Sequence, residues 1–196
     1  MGEENKVVYG LSNVHYSLYD ADGSTFGIPV ALPGAVKVSL APEGEVSEFY
    51  ADDAIYYLAS TNNGYSGSIE MAELTQEART ALFAETVDTN GVAYETNNVQ
   101  PPVFALLFEI DGNNHKKRYV FYACQATRPT VEHNTLESSK DPQTVTADLT
   151  ILPLTMKVDA SPVKVVKANV ENTIEGAAAY GVWYTNVYTP GQLLSV

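Results

Sequence analysis

The sequence predicts a mainly β protein, an antiparallel β-sandwich or partly open barrel that is flanked by one short α-helix. Residues that suit strands are frequent, with 13 Tyr among 196 residues. Apolar and polar residues also alternate with a period of two in the segments 14–19, 36–40, 65–71 and 145–151. Each such strand offers one apolar face to a core, which is typical of antiparallel sheets packed face to face.

The alternation assigns each of these strands a face. Residues 1–196 are expected to form one domain, because no linker or internal repeat divides them. The side chains expected to face the core are Val14, Tyr16, Leu18, Val36, Val38, Leu40, Tyr65, Gly67, Ile69, Met71, Val145, Ala147, Leu149 and Ile151.

A long insertion, about residues 42–63, separates the second alternating segment from the third. Aromatic and aliphatic residues are interspersed there with Glu and Asp. Connections of this length inside compact domains usually have a function. We expect a projecting hairpin loop whose exposed aromatic side chains form an interaction surface. The alternative is that the insertion folds back as two more core strands.

One internal segment, about residues 75–83, predicts an α-helix. Thr75 is a suitable N-cap, and Leu74, Ala78 and Leu82 share a face at four-residue spacing. A helix this short needs to pack on the sandwich to persist.

Two later segments, 103–110 and 119–126, are apolar on both faces. Asp111-Gly112 lies between them and favours a hairpin. Both strands should therefore be covered on two sides. Either they form the centre of the sandwich, or their outer face is covered by a helix or by a neighbouring subunit. A further short helix is expected near residues 177–183.

The net charge is −13, and most of it lies in one region. Between Glu43 and Glu95 there are eleven acids and one base, Arg79, for a local charge of −10. Such acidity disfavours ordinary nucleic-acid binding, because it repels phosphates. A solvated surface would explain the acidity equally well.

The sequence contains no pattern that indicates catalysis. His15, His115 and His133 lack metal-ligand spacing, and Cys124 lies in an apolar segment without a basic neighbour. We expect no enzyme activity, no catalytic residue, no metal and no cofactor. Lys116-Lys117-Arg118 is the one basic cluster, interpreted as a solvated hairpin end or a partner for a neighbour's acids.

The cellular location is inferred from what the sequence lacks. The lone cysteine permits no internal disulfide, the N-terminus does not resemble a signal peptide, and no apolar run is long enough to span a membrane. We therefore expect a soluble protein, made in a cytoplasm, with no membrane partner.

Several stretches resemble the major tail tube proteins of siphovirus-type phages and prophages of Gram-positive bacteria. Their order and spacing extend over almost the whole chain. They are residues 13–16 (NVHY), 32–36 (LPGAV), 48–53 (EFYADD), 62–67 (NNGYSG), 104–109 (FALLFE) and 124–129 (CQATRP), and the pairs 183–184 (WY) and 187–188 (VY).

The resemblance implies a structural virion protein that polymerises as stacked hexameric rings into a tail tube. One sheet of each subunit would contribute to a continuous β-barrel around an acidic lumen, through which DNA passes without specific binding. The implied partners are further copies of the chain and the tape measure, tail terminator and distal tail proteins. The implied location is the virion tail, assembled in the host cytoplasm.

The resemblance also assigns roles to individual residues. The 42–63 loop would reach an adjacent ring, and the acids Glu70 and Asp148 would face the lumen. The residues implied to stack one ring on the next are Glu48, Phe49, Tyr50, Asp52, Asp53, Tyr56 and Tyr57. The alternatives are a tube protein of a contractile-injection or secretion system, and a carbohydrate-binding β-sandwich whose aromatic residues line a sugar groove.

Overall fold

The computed structural model describes residues 9–111, 116–133, 135, 142–159 and 161–192. These residues contain fifteen strands and two helices, and each strand pairing among them is antiparallel. The elements are β1 Tyr9–Asp20, β2 Thr25–Phe26, β3 Val30–Ala31, β4 Ala35–Glu43, β5 Val46–Ala51, β6 Ala54–Ser60, β7 Gly64–Met71, α1 Gln76–Phe83, β8 Thr86–Val87, β9 Ala93–Tyr94, β10 Phe104–Asp111, β11 Lys117–Ala126, β12 Val145–Leu152, β13 Leu154–Val158, β14 Ser161–Val165, β15 Lys167–Glu171 and α2 Ala177–Val182.

Nine of these strands form one sheet in the order β2-β1-β10-β11-β12-β7-β4, with β3 also on β1 and β15 also on β11. One edge of β11 is shared: Ala123–Ala126 pairs with β12, and Lys117–Phe121 pairs with β15. The sheet therefore divides at β11 and does not close into a barrel. The predicted fold class, mainly β and antiparallel, is confirmed.

The main core cluster lies between β1, β4, β7, β10, β11, β12 and α1. The alternation in β7 and β12 correctly predicts the side chains that enter it. Ile69, Met71, Ala147, Leu149 and Ile151 are all buried. Their polar neighbours point away from this core, so each strand separates an apolar from a polar face.

The prediction for the end of β1 is wrong. Val14 and Tyr16 are buried as expected, but Leu18 is 40% exposed and Ser17 is buried. The Ser17 hydroxyl donates a hydrogen bond of 2.6 Å to the carbonyl oxygen of Gly27. This bond satisfies the buried hydroxyl, which would otherwise carry a desolvation cost.

The prediction for the start of β4 is also wrong at Val36, which is 53% exposed. The register between β4 and β7 shifts between Ala35 and Lys37, as at a β-bulge. Ala35 therefore packs against the core in place of Val36, and Val38 and Leu40 follow in the predicted phase.

The strands β10 and β11 are covered on both sides, as predicted. Phe104, Leu106 and Phe108 belong to the main core, and Ala105 and Leu107 belong to a second cluster. The rest of the second cluster is Val120, Tyr122, Trp183 and Val187. Its cover thus comes from the residues that follow α2 and from β13, β14 and β15 of the same chain, whereas α2 itself has no buried residue. Among the described residues, the outer face is therefore covered by the same chain and not by a helix.

Helix α1 begins and packs as predicted. The Thr75 hydroxyl accepts a hydrogen bond of 3.3 Å from the backbone N–H of Ala78. Ala78 and Leu82 are buried, and Leu74 is buried just before the helix. Ala84 ends the helix in the left-handed conformation, with φ of 57°.

Candidate functional site

The β5–β6 hairpin continues the β4–β7 ribbon beyond the large sheet. Glu43 pairs with Gly64 at the end of the ribbon, and the N–H of Thr61 donates to the carbonyl oxygen of Glu45 at 2.9 Å. Val46 then pairs with Ser60. The six residues of β5 extend about 20 Å at the usual strand rise. The projecting-hairpin prediction is confirmed, and the alternative of two core strands is wrong.

A two-residue turn ends this hairpin. Asp52 and Asp53 lie between the paired residues Ala51 and Ala54, and their φ angles are 52° and 60°. Positive φ at both central residues is the mark of a type I′ turn, whose twist matches that of the flanking strands. Aspartate tolerates this conformation better than most residues. Both carboxylates therefore lie at the tip of the hairpin.

Large apolar side chains cover both faces of the hairpin and stay exposed. Phe49 lies opposite Tyr57, and Tyr50 lies opposite Ile55 on the other face. A register shift leaves Tyr56 between these pairs, and it is 75% exposed. The hairpin residues with large, mostly exposed apolar side chains are Val46, Phe49, Tyr50, Ile55, Tyr56, Tyr57 and Leu58. Exposed apolar side chains in this number are typical of interaction surfaces.

The acids of the hairpin have no cationic partner within the described part of the chain. The Tyr50 hydroxyl donates to a carboxylate oxygen of Glu48 at 2.6 Å, and this bond raises the pKa of Tyr50. Glu43 accepts a hydrogen bond from the Ser66 hydroxyl. No described Lys or Arg forms an ion pair with Glu43, Glu45, Glu48, Asp52 or Asp53. The hairpin thus combines exposed aromatic rings with uncompensated negative charge.

Glu70 and Asp148 lie on the polar face of the β4-β7-β12 part of the sheet. Glu70 pairs with Thr146, and Asp148 pairs with Ser68, so the two acids project from the same face of adjacent strands. The Thr144 hydroxyl donates to Glu70 at 2.7 Å. The structure brings the two acids together, and their position in a lumen stays a prediction.

Hydroxyl groups dominate the same face, a feature that the sequence interpretation missed. Its side chains include Ser39, Ser66, Ser68, Thr146 and Thr150. The signal was available, because these residues are the polar half of the alternation in β4, β7 and β12. Small hydroxyl side chains give a smooth surface, and Lys37 is the one cation that the described strands add to it.

Of the basic cluster after β10, Lys116 is exposed at the hairpin end as expected, but Arg118 is mostly buried. Arg118 lies opposite buried Glu109, and its Nε donates to the carboxylate at 2.6 Å. The Tyr180 hydroxyl donates to the same carboxylate at 3.1 Å. Burial raises the pKa of Glu109, but the hydrogen bond and the charge of Arg118 outweigh burial and hold it below the ordinary range. This network joins the β10–β11 hairpin to α2.

The remaining titratable candidates show no arrangement for chemistry. His15 stacks on Tyr184 with ring centroids 4.3 Å apart, and His133 contacts Gln143. Cys124 is fully buried, which raises the pKa of its thiol. His115 lies outside the described residues. In the part of the chain that is described, no three His, Cys, Asp or Glu residues are grouped to hold a metal ion.

The described helices include none with the length and apolarity needed to cross a membrane. No protein-family model and no curated protein matches the sequence.

Proposed function

We propose that the chain is a non-enzymatic subunit of the tail tube of a long-tailed phage, which polymerises as stacked hexameric rings around a DNA channel. The observation that carries the proposal is the β5–β6 hairpin, which presents apolar side chains on both faces and leaves them uncovered by its own chain. In the tail tube proteins that the sequence resembles, the corresponding loop reaches an adjacent ring.

The energetics of the hairpin favour an assembled state. A two-stranded hairpin is marginal by itself in water, and this one packs against no other element of the described chain. Covering Phe49, Tyr50, Tyr56 and Tyr57 would contribute about 1.5–3 kcal/mol each before the cost of association. Because such contacts repeat around each ring, a modest stabilisation from each subunit is enough to hold two rings together.

The polar face of the β4-β7-β12 part of the sheet suits a DNA channel. Glu70 and Asp148 would repel phosphates within a Debye length of about 8 Å at physiological salt. Lys37 lies across from Glu70, so the one described cation of this face is next to an acid. A wall of hydroxyl groups and acids offers DNA no strong binding site.

A tube of this kind has implied partners at its ends and inside it. The resemblance implies the tape measure, tail terminator and distal tail proteins as these partners. The proposed location is accordingly the virion tail, after assembly in the host cytoplasm.

The hairpin geometry favours a tube over a carbohydrate-binding module. A sugar groove needs aromatic rings that converge on one concave surface, whereas Phe49 and Tyr50 lie on opposite faces of a ribbon. A tube of a contractile-injection or secretion system shares each of these features, and the sheath protein encoded beside the gene would identify that case.

Negative-stain electron microscopy of the concentrated protein tests the proposal. We expect rings or tubes, and a variant in which Asn-Gly replaces residues 45–61 should stay monomeric. The variant keeps the β4–β7 ribbon and a favourable hairpin turn, so it separates loss of the hairpin from loss of the fold. A wild-type chain that remains monomeric at millimolar concentration would contradict the proposal.

A further inference from the structure

A second hairpin, β13–β14, carries two lysines, Lys157 and Lys164, and one acid, Asp159 in its turn, so its net charge is positive. Its side chains Leu154, Met156 and Val165 pack against the second core cluster. The register pairs Thr155 with Lys164 and Lys157 with Pro162, so the two lysines share the outward face. As diagonal neighbours on that face they lie about 7–8 Å apart.

These two lysines, like Lys37, form no ion pair and no cation–π contact within the described chain. Arg79, Lys116, Lys117, Arg118 and Arg128 all form ion pairs. Of the other described cations, Lys167 lies over the ring of Tyr65, and Lys37 lies opposite Glu70. Lys157 and Lys164 have neither kind of contact. Lysines that have no acidic partner in their own chain can pair with the acids of the β5–β6 hairpin of another copy, which have no cationic partner.

A cavity of about 450 Å³ opens beside the same hairpin. Its lining includes the large side chains Tyr19, Phe26, Leu154, Met156 and Pro162, and the polar side chains Ser24, Thr155, Lys157 and Thr189. This volume is in the range of protein pockets that hold an organic group. An aromatic side chain entering it would contact apolar side chains, hydroxyl groups and a cation.

The two hairpins leave the large sheet from different strands, since β5–β6 follows β4 and β13–β14 follows β12. The registers place Leu18, near the end of β1, and Pro42, near the end of β4, in one row across the sheet. The cavity is beside the end of β1, where Tyr19 pairs with Phe26. The tip of the β5–β6 hairpin extends away from this row by the length of β5.

We propose that the tip of the β5–β6 hairpin of one copy docks on the β13–β14 hairpin of a second copy. Asp52 and Asp53 pair with Lys157 and Lys164, and Tyr56 enters the cavity. Because the two surfaces are different, the contact is heterologous and can repeat from copy to copy. This inference rests on the proposed function and names the surfaces that join successive rings.

Site-directed crosslinking tests the contact directly. Asp53→Cys and Lys164→Cys proteins are prepared separately, mixed, assembled and treated with a short bis-maleimide. We expect a covalent dimer from this mixture. The matched control replaces Lys164→Cys by Lys37→Cys, a lysine on the other part of the sheet, and should give none. Cys124 is fully buried, so the native thiol does not compete.

A double-mutant cycle tests the charge pairing. Asp52→Asn with Asp53→Gly removes both acids and keeps a type I′ turn, and Lys157→Gln with Lys164→Gln removes both cations. Each pair of changes should raise the critical concentration for tube formation about tenfold at low salt. If the acids pair with the lysines, the variant with all four changes has the same critical concentration as either pair of changes alone. Effects on the critical concentration that add together would overturn the pairing.

The outcomes separate this contact from tube formation itself. Normal tubes without the Asp53–Lys164 crosslink would overturn the docking and leave the proposed function intact. A wild-type chain that forms no rings or tubes would overturn both.

Discussion

Phe49 and Tyr57 face each other across the β5–β6 hairpin, and their side chains are 60% and 63% exposed. In a monomer, two aromatic residues in register on a projecting ribbon contribute little to the core. Changes on this ribbon should therefore affect assembly while leaving the fold intact.

We predict that Phe49→Asp or Tyr56→Asp leaves the monomer folded and blocks tube growth. Exposed substitutions usually change the free energy of unfolding by less than about 0.5 kcal/mol, whereas a charge on the hairpin prevents its apolar faces from being covered. Thermal unfolding checks that the monomer stays folded, and electron microscopy checks that tube growth is blocked. Ile174→Asp, at an exposed site outside the hairpin, is the matched control. Normal tubes from both hairpin variants would rule out the hairpin as the stacking element.

Sequence patterns correctly predicted the elements that are determined by residues close together along the chain. The period-two alternation of β7 and β12 assigns their buried faces because successive side chains of a strand point to opposite sides. The α1 cap is likewise determined within four residues, from Thr75 to Ala78. The exposed aromatic hairpin was predictable in the same way, from an apolar insertion rich in acids.

The features that the sequence did not predict depend on partners that are distant along the chain. Val36 is displaced by a register shift that only the pairing of β4 with β7 determines. The ion pair of Arg118 with Glu109 depends on the register of β10 with β11, which the sequence pattern does not determine. The position of Lys157 and Lys164 on one outward face likewise depends on the register of β13 with β14.

We predict that Glu70→Lys combined with Asp148→Lys slows genome passage more than it slows assembly. The two changes place cations on the polar face, where they would bind phosphates, and the effect should grow at low salt. Genome ejection kinetics at two salt concentrations measure it. Glu132→Lys with Glu175→Lys changes the net charge equally at exposed sites elsewhere. Ejection at the wild-type rate in low salt would argue against a lumenal position for the two acids.

We predict that Glu109→Gln destabilises the protein by about 2–3 kcal/mol at neutral pH, because it leaves the Arg118 charge without its carboxylate. The folded-state pKa of Glu109 lies below its ordinary value of 4.5. Its ionic contribution to stability is therefore complete above that value and is lost as the pH falls through the lowered pKa. The difference in unfolding free energy between wild type and variant, from denaturant titrations at pH 7 and pH 3, should shrink at pH 3. An equal difference at both pH values would contradict the ionic role.

We predict opposite effects for alanine at two glycines. A Cβ at Gly67, in the middle of β7, would lie 1.8 Å from the carbonyl oxygen of Ser39, so β4 would have to move. Gly67→Ala should therefore destabilise the protein by about 1–3 kcal/mol.

At Gly181, inside α2, a Cβ would meet no atom within 4 Å. Gly181→Ala should stabilise the protein by about 0.5–1 kcal/mol, because alanine loses less backbone entropy in a helix. Denaturant unfolding of both variants provides the comparison. If Gly67→Ala left the free energy of unfolding unchanged, the β4–β7 ribbon would have to deform easily. It would then not be the rigid base that the projecting hairpin needs.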